Sequence, residues 1–531
     1  MNMKVKAIYC VVALSAASFV AHAEWGQAPN GEFWNGKAKR FIYAPAFPFP
    51  EVKDAVRYRY DVIDDRHAVH TFRADTPRAG LDKVWAELPV GYVTVACTGE
   101  AADGTSVGEA GRRTFWKKSA FTGKYPPAKR SYALARSKIF DWFLSMPQLR
   151  VLAETGRPDL SYPLNGYPSK MLGAEIKAIV AYYKWQSGKD SAPIHLETAK
   201  KAADYLISDS MPSGLPLAHF PRTYAKEGSE YGRFVCEQDV IMLIYPADVG
   251  DAYIDLASVC GDGGGKYIDA AKRIADTYLS LQGEDGTWWL KQNAVTGAET
   301  CPNRLLPVQV MTFLERIHSV TGDERYRAAA DRAFGYIEQN PMADWNWEGQ
   351  FEDVKYTRAV RWANLSKHPA CSVAMYLVSR FPGDAKRLAQ AEALLKFSED
   401  QFVEWTPPYA GGRGPKEPAG PDDGSWKFFC MPYSSWATPC ALEQYWCYWP
   451  IDASAAKLIN TYIALWRATK NAEYLAKARV LGDTATRVQD DDGFIGTWWV
   501  DGASRNDQRY HMWINCMLAT AQALDNLAQC E

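Results

Sequence analysis

The stretch from Asp344 to His368, DWNWEGQFEDVKYTRAVRWANLSKH, gathers aromatic, acidic and basic side chains between two predicted helices. Loops of this length are uncommon in compact domains, and they are more often functional than idle. Carboxylates can transfer protons, guanidinium groups can bind anions, and tryptophan rings can stack on the apolar face of a sugar. The stretch therefore indicates one wall of a sugar-processing cleft. The alternative is a surface loop that its two tryptophans hold in place.

Hydrolysis of a glycosidic bond needs one carboxylic acid to protonate the leaving oxygen and one carboxylate to activate water or attack carbon. Two long loops supply the predicted catalytic residues: Glu352, Asp353, Glu237 and Asp239. We predict that a member of the first pair faces a member of the second pair across the cleft. Because acidic residues also cap helices and bind loop amides, a structural role is the alternative for each of them.

Residues suited to holding a sugar lie near these acids in the sequence. Arginine pairs bidentately with a carboxylate, so arginines here favour an anionic sugar, although they could equally neutralise neighbouring acids. Aromatic rings would add stacking surface, and amide or imidazole groups would add hydrogen bonds. The predicted substrate-binding residues are Arg233, Arg304, Arg361, Tyr356, Asn364, His368, Trp288, Trp345, Trp347, His511 and Trp513.

The same stretch also supports elimination instead of hydrolysis. A lyase abstracts the C5 proton of a uronate with Tyr or His as base or acid, while Asn, His or Arg neutralises the carboxyl group. Those residue types occur together at Tyr356, Arg361, Asn364 and His368. We favour hydrolysis because carboxylates are abundant in these loops. A non-catalytic protein that captures a glycan in an aromatic cleft is a third alternative.

The first residues predict export. A short basic start precedes a nearly unbroken apolar run over residues 7–20, and the sequence AHA at residues 21–23 has the form of a cleavage site. Residues 1–23 are therefore predicted to be a signal peptide cleaved near Ala23/Glu24, since the run is too short for a membrane span. The mature protein is predicted to be periplasmic or secreted, without insertion into a membrane.

The overall charge balance argues against nucleic acid as a partner. The 60 Lys and Arg residues are matched by 62 Asp and Glu residues, so the chain as a whole is not basic. Its 11 cysteines show no CxxC pair beside a histidine, and buried thiols or one disulfide are a better explanation than a zinc site. We predict neither a metal nor an organic cofactor, and homo-oligomerisation stays open.

Residues 24–124 have the two-residue period of β-strands. Tyr58, Tyr60 and Val62 alternate with charged residues, and YVTVACT at residues 92–98 is a second run of this kind. Asp103-Gly104 supplies a turn shortly after it. Short strands among several prolines predict a small β-sandwich of immunoglobulin or fibronectin type.

Residues 125–531 have the period of α-helices. Apolar and small residues recur at i, i+3, i+4 and i+7 in copies that begin at Tyr267, Tyr326, Leu388 and Tyr474, and an earlier, weaker copy begins at Leu196. Another apolar helix precedes each of the five copies, and one further helix at each end gives twelve helices in six pairs. Short connections within the pairs and long, aromatic-rich connections between them place the long loops at one end of a toroid.

The hairpin count, the GD-x-x-Y-x-x-A-A pattern and two similar loops, DGTWW at 285–289 and DGFIGTWW at 492–499, resemble the six-hairpin (α/α)6-barrel superfamily of glycosidases. The resemblance implies a mainly α protein in which such a barrel follows the β-sandwich. It also implies a carbohydrate-active enzyme related to β-glucuronidases and unsaturated glucuronyl hydrolases, although polysaccharide lyases use a similar barrel. The expected activity is removal of a terminal glucuronic or unsaturated uronic acid from an oligo- or polysaccharide.

Overall fold

A computed structural model describes residues 38, 40–186, 192–225, 239–352, 365–407, 436–443, 450–500 and 513–531. The chain divides into two compact units. The first contains Ala44–Lys117, and the second contains Arg40–Tyr43 and Lys118–Glu531. The predicted leader lies outside the described residues, and the domain boundary at residue 124 stays a prediction.

The first unit is built on an antiparallel sheet. A short strand, β1 (Arg40–Phe41), precedes it in the chain and belongs to the second unit. The strands of the first unit are β2 (Arg57–Ile63), β3 (Val69–Ala74), β4 (Gly91–Glu100) and β5 (Ser106–Lys117). They pair in the order β5-β4-β2-β3. The predicted alternation is confirmed, since Tyr58, Tyr60 and Val62 are buried and the residues between them are partly exposed.

Loops and one short helix cover the buried face of this sheet. Phe47 packs on Phe115 with ring centroids 5.4 Å apart, and Phe49 packs on Tyr60 at 6.5 Å. The helix α1 (Asp82–Trp85) adds Trp85, whose ring stacks on Phe115 at 6.0 Å. Within the described part of the first unit we find one sheet, so the predicted β-sandwich is not confirmed.

The described part of the second unit contains twelve long helices, in agreement with the predicted number. The inner helices are α4 (Pro168–Trp185), α6 (Tyr245–Ala257), α8 (Val308–Thr321), α11 (Lys367–Arg380), α13 (Asp452–Thr469) and α15 (Ile514–Ala528). Each packs on two neighbours in that order, and α15 returns to α4, so that the ring closes. The outer helices are α2 (Tyr132–Leu144), α5 (Ala192–Ser208), α7 (Gly265–Leu281), α9 (Glu324–Gln339), α12 (Ala385–Phe402) and α14 (Ala472–Val488).

Each inner helix forms an antiparallel hairpin with one outer helix. The partners of α4, α6, α8, α11 and α13 follow them directly in the chain, whereas α15 pairs with α2. The predicted mainly α, (α/α)6-barrel fold is therefore confirmed by the arrangement of the helices. Because the connections alternate inner and outer helices, all six inner helices begin at the same end of the barrel. We call this end the mouth.

Short elements complete the second unit. They are the helices α3 (Pro147–Thr155) and α10 (Pro341–Asp344), the 3-10 turns Pro163–Gly166 and Gly261–Gly264, and the strand pairs β6 (Val240–Met242) with β7 (Lys291–Asn293) and β8 (Val403–Glu404) with β9 (Cys440–Ala441). The segment Arg40–Tyr43 joins this unit through the backbone amides of Ile42 and Tyr43, which donate to Asp400 Oδ1 at 2.6 and 2.9 Å. No helix of the described chain is both long and apolar enough to cross a membrane.

The Gly-Asp pattern between inner and outer helices has a structural cause. Gly322 ends α8 with a left-handed backbone conformation (φ 72°), and the side chain of Asp323 then caps α9 by accepting from the Arg325 amide. Glycine adopts this conformation without the steric cost that a side chain brings, and aspartate is a favoured N-cap. The repeated motif therefore terminates one helix and starts the next.

The two similar loops also have structural roles. Gly286 (φ 87°) and Gly493 (φ 103°) adopt left-handed conformations in which a Cβ would collide with the backbone carbonyls of Arg332 and Lys138. In each loop the preceding aspartate accepts a hydrogen bond from the amide that follows the glycine, at 3.2 Å. Each loop makes a tight turn that packs directly against a neighbouring outer helix. The left-handed backbone and the close approach to that helix both require glycine.

We expect Gly493→Ala to destabilise the barrel by about 2 kcal/mol or more, because the left-handed backbone alone costs about 1–3 kcal/mol for a non-glycine residue. Thermal unfolding of the purified variant measures the effect. Gly335→Ala is the matched control, since Gly335 lies in α9 with open space around its Cβ position. Alanine favours a helix, so the control should be unchanged or more stable. Equal unfolding temperatures for wild type and Gly493→Ala would contradict this explanation.

Candidate active site

The mouth concentrates the polar side chains of the inner helices. Lys170 is in the first turn of α4, Tyr245 opens α6, His368 is in the first turn of α11, Asp452 opens α13, and Trp513 caps α15. The N-terminus of a helix carries exposed N–H groups and a partial positive charge. Six such ends directed at one space favour an anionic or hydrogen-bonding ligand there.

Glu352 is the best-anchored acid at the mouth. Its side chain is almost completely buried. Lys170 Nζ lies 2.6 Å from Oε1, and the Tyr245 hydroxyl donates to Oε2. Its backbone carbonyl accepts from Tyr224 Oη and Lys291 Nζ, both at 3.0 Å. Residues from several separate segments therefore fix this carboxylate in one orientation.

The surroundings of Glu352 keep it ionised. Burial acts to raise its pKa, but the charge and hydrogen bond of Lys170 and the hydrogen bond of Tyr245 outweigh burial, so the pKa is lowered. A carboxyl group with a lowered pKa is a carboxylate at neutral pH. It can accept a proton or attack carbon, whereas the role of proton donor falls to another group.

An aromatic wall lies beside this carboxylate. Lys170 Nζ is 3.9 Å from the centroid of the Trp513 ring, a cation–π contact. The Trp513 ring is 5.6 Å from Tyr167, which is 5.9 Å from Tyr224. Trp513 is partly exposed. The predicted substrate-binding residue Trp513 is thus brought next to the predicted catalytic residue Glu352.

His368 stands on the opposite side of the ring, because α11 faces α4 across the lumen. Burial lowers its pKa well below the ordinary value, and the charges of Lys367, Lys457 and Lys170 lower it further. Its imidazole is therefore neutral at neutral pH and can accept a proton. Phe351 meets the ring edge-on at 6.3 Å.

Asp452 has the opposite protonation preference to Glu352. Burial raises its pKa well above the ordinary range, and the charge of Glu443 adds to the effect. Among the described residues its Oδ2 atom has no hydrogen-bond partner. The thiol of Cys516, whose pKa burial raises, also senses the charges of Asp452, Lys170 and Glu352. One carboxyl group with a raised pKa and one with a lowered pKa therefore share this neighbourhood, an arrangement typical of acid–base sites, although Asp452 has no exposed surface.

Two predicted substrate-binding tryptophans are core residues instead. Trp288 and Trp347 have no exposed surface, and the Trp288 indole donates to the Tyr278 carbonyl at 2.9 Å. A ring without an exposed face cannot stack on a sugar, which argues against the predicted role of both. Trp345 is partly exposed and packs edge-on against Phe397 of the outer helix α12 at 5.9 Å.

Two further predicted residues have described partners other than Glu352. Arg304 pairs with Asp285, with Nε 3.0 Å from Oδ2, and its guanidinium lies 4.4 Å from the Trp289 ring centroid. Arg304 therefore neutralises a neighbouring acid, which is the alternative role predicted for the arginines. Asp239 is exposed in the turn before β6, and its carbonyl accepts from the Ala294 amide at 2.7 Å. The described residues show no contact between its side chain and Glu352.

The remaining predicted site residues lie outside the described residues, and their roles stay predictions. They are Asp353, Glu237, Arg233, Arg361, Tyr356, Asn364 and His511. In the part of the chain that the structure describes, no group of three or more His, Cys, Asp or Glu side chains could hold a metal ion. The described cysteines are Cys97, Cys260, Cys301, Cys371, Cys440, Cys516 and Cys530, all free thiols.

The sequence interpretation missed Lys170, Tyr245, Lys291 and Asp452. A local signal was present, because prolines mark the starts of inner helices: Tyr167-Pro168, Tyr245-Pro246, Leu306-Pro307 and His368-Pro369. Proline is favoured in the first helical turn, where its missing N–H costs no hydrogen bond. Polar and aromatic residues beside these prolines would have been predicted to meet at the mouth.

No protein-family model matches the chain. No curated protein matches it either. Among solved structures, a family 76 glycoside hydrolase from a bovine Bacteroides thetaiotaomicron strain is similar at 12% identity and a TM-score of 0.45, with 93% of this chain and 97% of that chain covered. A D-mannose isomerase matches at 12% identity and a TM-score of 0.46, covering 77% and 100%. An unsaturated glucuronyl hydrolase specific for heparin matches at 12% and 0.43, covering 75% and 98%.

Similarity at this level carries no argument about chemistry, but the closed ring of six hairpins defines the fold by itself. The described residues of the second unit form a six-hairpin barrel. The predicted resemblance to the six-hairpin glycosidases is therefore confirmed for the fold. In this six-hairpin barrel the mouth holds an ionised carboxylate, a neutral imidazole, a carboxyl group with a raised pKa and a partly exposed tryptophan.

Proposed function

We propose that this protein is an exported glycoside hydrolase that removes a terminal uronic acid from an oligo- or polysaccharide. The observation that carries the proposal is the Glu352 carboxylate, which Lys170 and Tyr245 hold ionised at the mouth of the barrel. A fixed, ionised carboxylate beside an aromatic wall is what a glycosidase needs to activate water or to attack the anomeric carbon.

Hydrolysis also requires a proton donor. The predicted partners Asp353 and Glu237 remain candidates for this role, and Asp452 offers a carboxyl group with a raised pKa in the same neighbourhood. In the proposed reaction the donor protonates the leaving oxygen as the glycosidic bond breaks. If water attacks the anomeric carbon directly, Glu352 accepts the proton of that water; if Glu352 itself attacks and forms a covalent intermediate, the deprotonated donor accepts the proton of the water that then displaces Glu352.

An anionic sugar fits the charge of the mouth. The positive ends of six inner helices converge there, and the charges that act on His368 are those of Lys367, Lys457 and Lys170. Trp513 offers a partly exposed ring for stacking. A uronic acid would satisfy both features, because it combines a carboxylate with an apolar ring face.

His368 supports elimination as the second candidate function. A neutral imidazole can remove the C5 proton of a uronate, and nearby ammonium groups can stabilise the negative charge that develops on its carboxyl group. The Tyr245 hydroxyl, which donates to Glu352, is a further acid–base group of the kind that lyases use. The two reactions differ in their products, which makes them separable.

Incubation of the purified protein with oligosaccharides ending in glucuronic acid or unsaturated uronic acid tests the proposal. We expect release of the free uronic acid, with loss of the ultraviolet absorbance of the double bond for the unsaturated substrate and no absorbance change for the saturated one. A rise in that absorbance with an oligosaccharide that contains an internal 4-linked uronate would instead identify a lyase, because elimination needs a leaving group on C4. Binding without any product would indicate a glycan-binding protein, and neither binding nor product would contradict the proposal.

A further inference from the structure

Among the described residues, no carboxylate pairs with the ammonium group of Lys457. Its Nζ atom has one direct contact in this part of the chain, the Ser372 hydroxyl at 3.0 Å. Two other lysines of this barrel contact carboxylates: Lys170 is 2.6 Å from Glu352, and Lys477 is 2.9 Å from Glu399. Lys457 differs from these two lysines because its described contact is a neutral hydroxyl group.

An ammonium group has three N–H donors, and a single serine hydroxyl satisfies one of them. Burial lowers the pKa of Lys457, which is the direct consequence of removing its charge from water without a paired anion. Such a group gains most when an anion enters and supplies both charge and acceptors. Binding of an anionic ligand would therefore lower the free energy of the Lys457 ammonium group.

The position of Lys457 connects it to the mouth. His368 and Ser372 are four residues apart on α11, so they share one face of that helix, with Ser372 one turn deeper. The charge of Lys457 acts on His368 together with those of Lys170 and Lys367. Lys457 consequently lies about one helical turn below the mouth, on the same wall of the lumen as His368.

Across the lumen, α6 faces α13 and contributes Asp248. Burial raises the pKa of Asp248 to about 6, against the lowering effect of the charges of Lys177, Lys457 and Lys170. Asp248 is the carboxyl group that acts on Lys457, yet no ion pair joins the two side chains within the described chain. The ammonium group of Lys457 therefore lies within electrostatic range of residues on the opposite side of the ring.

We propose that Lys457 and Ser372 bind the carboxylate of the sugar and so determine specificity for a uronic acid. The proposal rests on the proposed function and identifies which residues recognise the anionic group. One carboxylate oxygen would accept from the ammonium group and the hydroxyl, while the sugar ring extends toward Trp513 and Glu352 at the mouth. Lys457 has a positioning and specificity role, whereas the bond-breaking steps stay with the groups at the mouth.

The experiment compares a glucuronide with the glucoside of the same aglycone. In Lys457→Met we expect KM for the glucuronide to rise by about 10- to 100-fold, the loss typical of a hydrogen bond to a charged group, with KM for the glucoside unchanged. Lys457→Arg should retain part of the preference. Lys177→Met is the matched control, because Lys177 acts on the same Asp248 carboxyl group but has its own acid, Asp251, at 3.6 Å.

A change of KM by the same factor for both sugars would show a structural role and overturn the proposal, as would an unchanged KM for both. Calorimetric titration of wild type and Lys457→Met with glucuronate and with glucose provides the same comparison without turnover. If the protein binds glucuronate through Lys457 but releases no uronic acid, the proposed reaction fails and this site stands. If turnover occurs and Lys457→Met keeps the preference for glucuronide, this site fails and the proposed reaction stands.

Discussion

Replacing Glu352 with glutamine should lower kcat by about 100- to 10,000-fold while the protein stays folded. Glutamine keeps the shape of glutamate: its amide oxygen can accept from Lys170 Nζ, while its NH2 group takes the place of the second carboxylate oxygen and can donate to the Tyr245 hydroxyl. It cannot take up a proton from water or attack carbon, so the chemical step should suffer more than binding. Steady-state kinetics on a uronate-terminated oligosaccharide measures the loss, and circular dichroism with thermal unfolding checks the fold.

Glu315→Gln is the matched control for this variant. Glu315 lies near the far end of inner helix α8 and, like Glu352, it bonds a tyrosine hydroxyl and a cation: Tyr376 Oη at 2.8 Å and Arg380 Nε at 3.1 Å. Its substitution removes a similar set of interactions away from the mouth, so kcat should stay within a few-fold of wild type. Equal activity of Glu352→Gln and wild type would remove Glu352 from the catalytic set, and equal losses in both variants would show a general effect on the barrel.

Replacing Lys170 with methionine should destabilise the protein by about 3–5 kcal/mol at neutral pH and abolish most activity. The substitution leaves the Glu352 carboxylate buried without its cation, and breaking a buried ion pair from one side carries a cost of this order. Lys170 also supplies the main interaction that lowers the pKa of Glu352, so burial should raise that pKa in the variant.

The pH dependence of this effect follows from linkage. In wild type the pKa of Glu352 is lower in the folded than in the unfolded protein, so the residue adds stability above its unfolded pKa and loses that contribution as the pH falls through its folded pKa. In Lys170→Met the folded pKa becomes the higher one, and stability should instead fall as the pH rises. The difference between the two proteins should therefore be largest at neutral pH and shrink in acid, as denaturant unfolding at several pH values would show. A constant difference at all pH values would contradict the account.

The barrel was predictable from sequence because its signals are local. The stripe from Tyr326 through Ala329, Ala330 and Ala333 specifies a helix with one buried face, and all four residues are buried in α9. The Gly-Asp turns mark where inner helices end and outer helices begin. Six repetitions of such a hairpin leave a closed ring as the arrangement that buries every apolar face.

The β-sandwich prediction was weaker for a physical reason. Alternating burial identifies a strand and its inward face, as at Tyr58 and Tyr60, but it does not identify what covers that face. Here Phe47 and Phe49, from an irregular segment, pack against the sheet and provide cover that a second sheet would otherwise supply. Strand periodicity contains no information about this choice.

The site was partly predictable. Glu352, His368 and Trp513 were identified because they lie in long loops or at helix starts. Lys170 and Tyr245 were not predicted because their contacts with Glu352 join residues that lie 182 and 107 positions apart in the sequence. Trp288 and Trp347 were overinterpreted, since a large ring that fills the core has the same sequence signature as one that stacks on a ligand.

The most direct test of the account is turnover of a glucuronate-terminated oligosaccharide in ¹⁸O-labelled water, followed by mass spectrometry of the products. We predict free glucuronic acid that carries the label, products that together weigh the substrate plus one water, and loss of this reaction in Glu352→Gln but not in Glu315→Gln. For an oligosaccharide with an internal 4-linked glucuronate, unlabelled products whose masses sum to that of the substrate would show elimination. No product from wild type, or full labelling by Glu352→Gln, would contradict the proposal that Glu352 is the catalytic carboxylate of a uronate-releasing hydrolase.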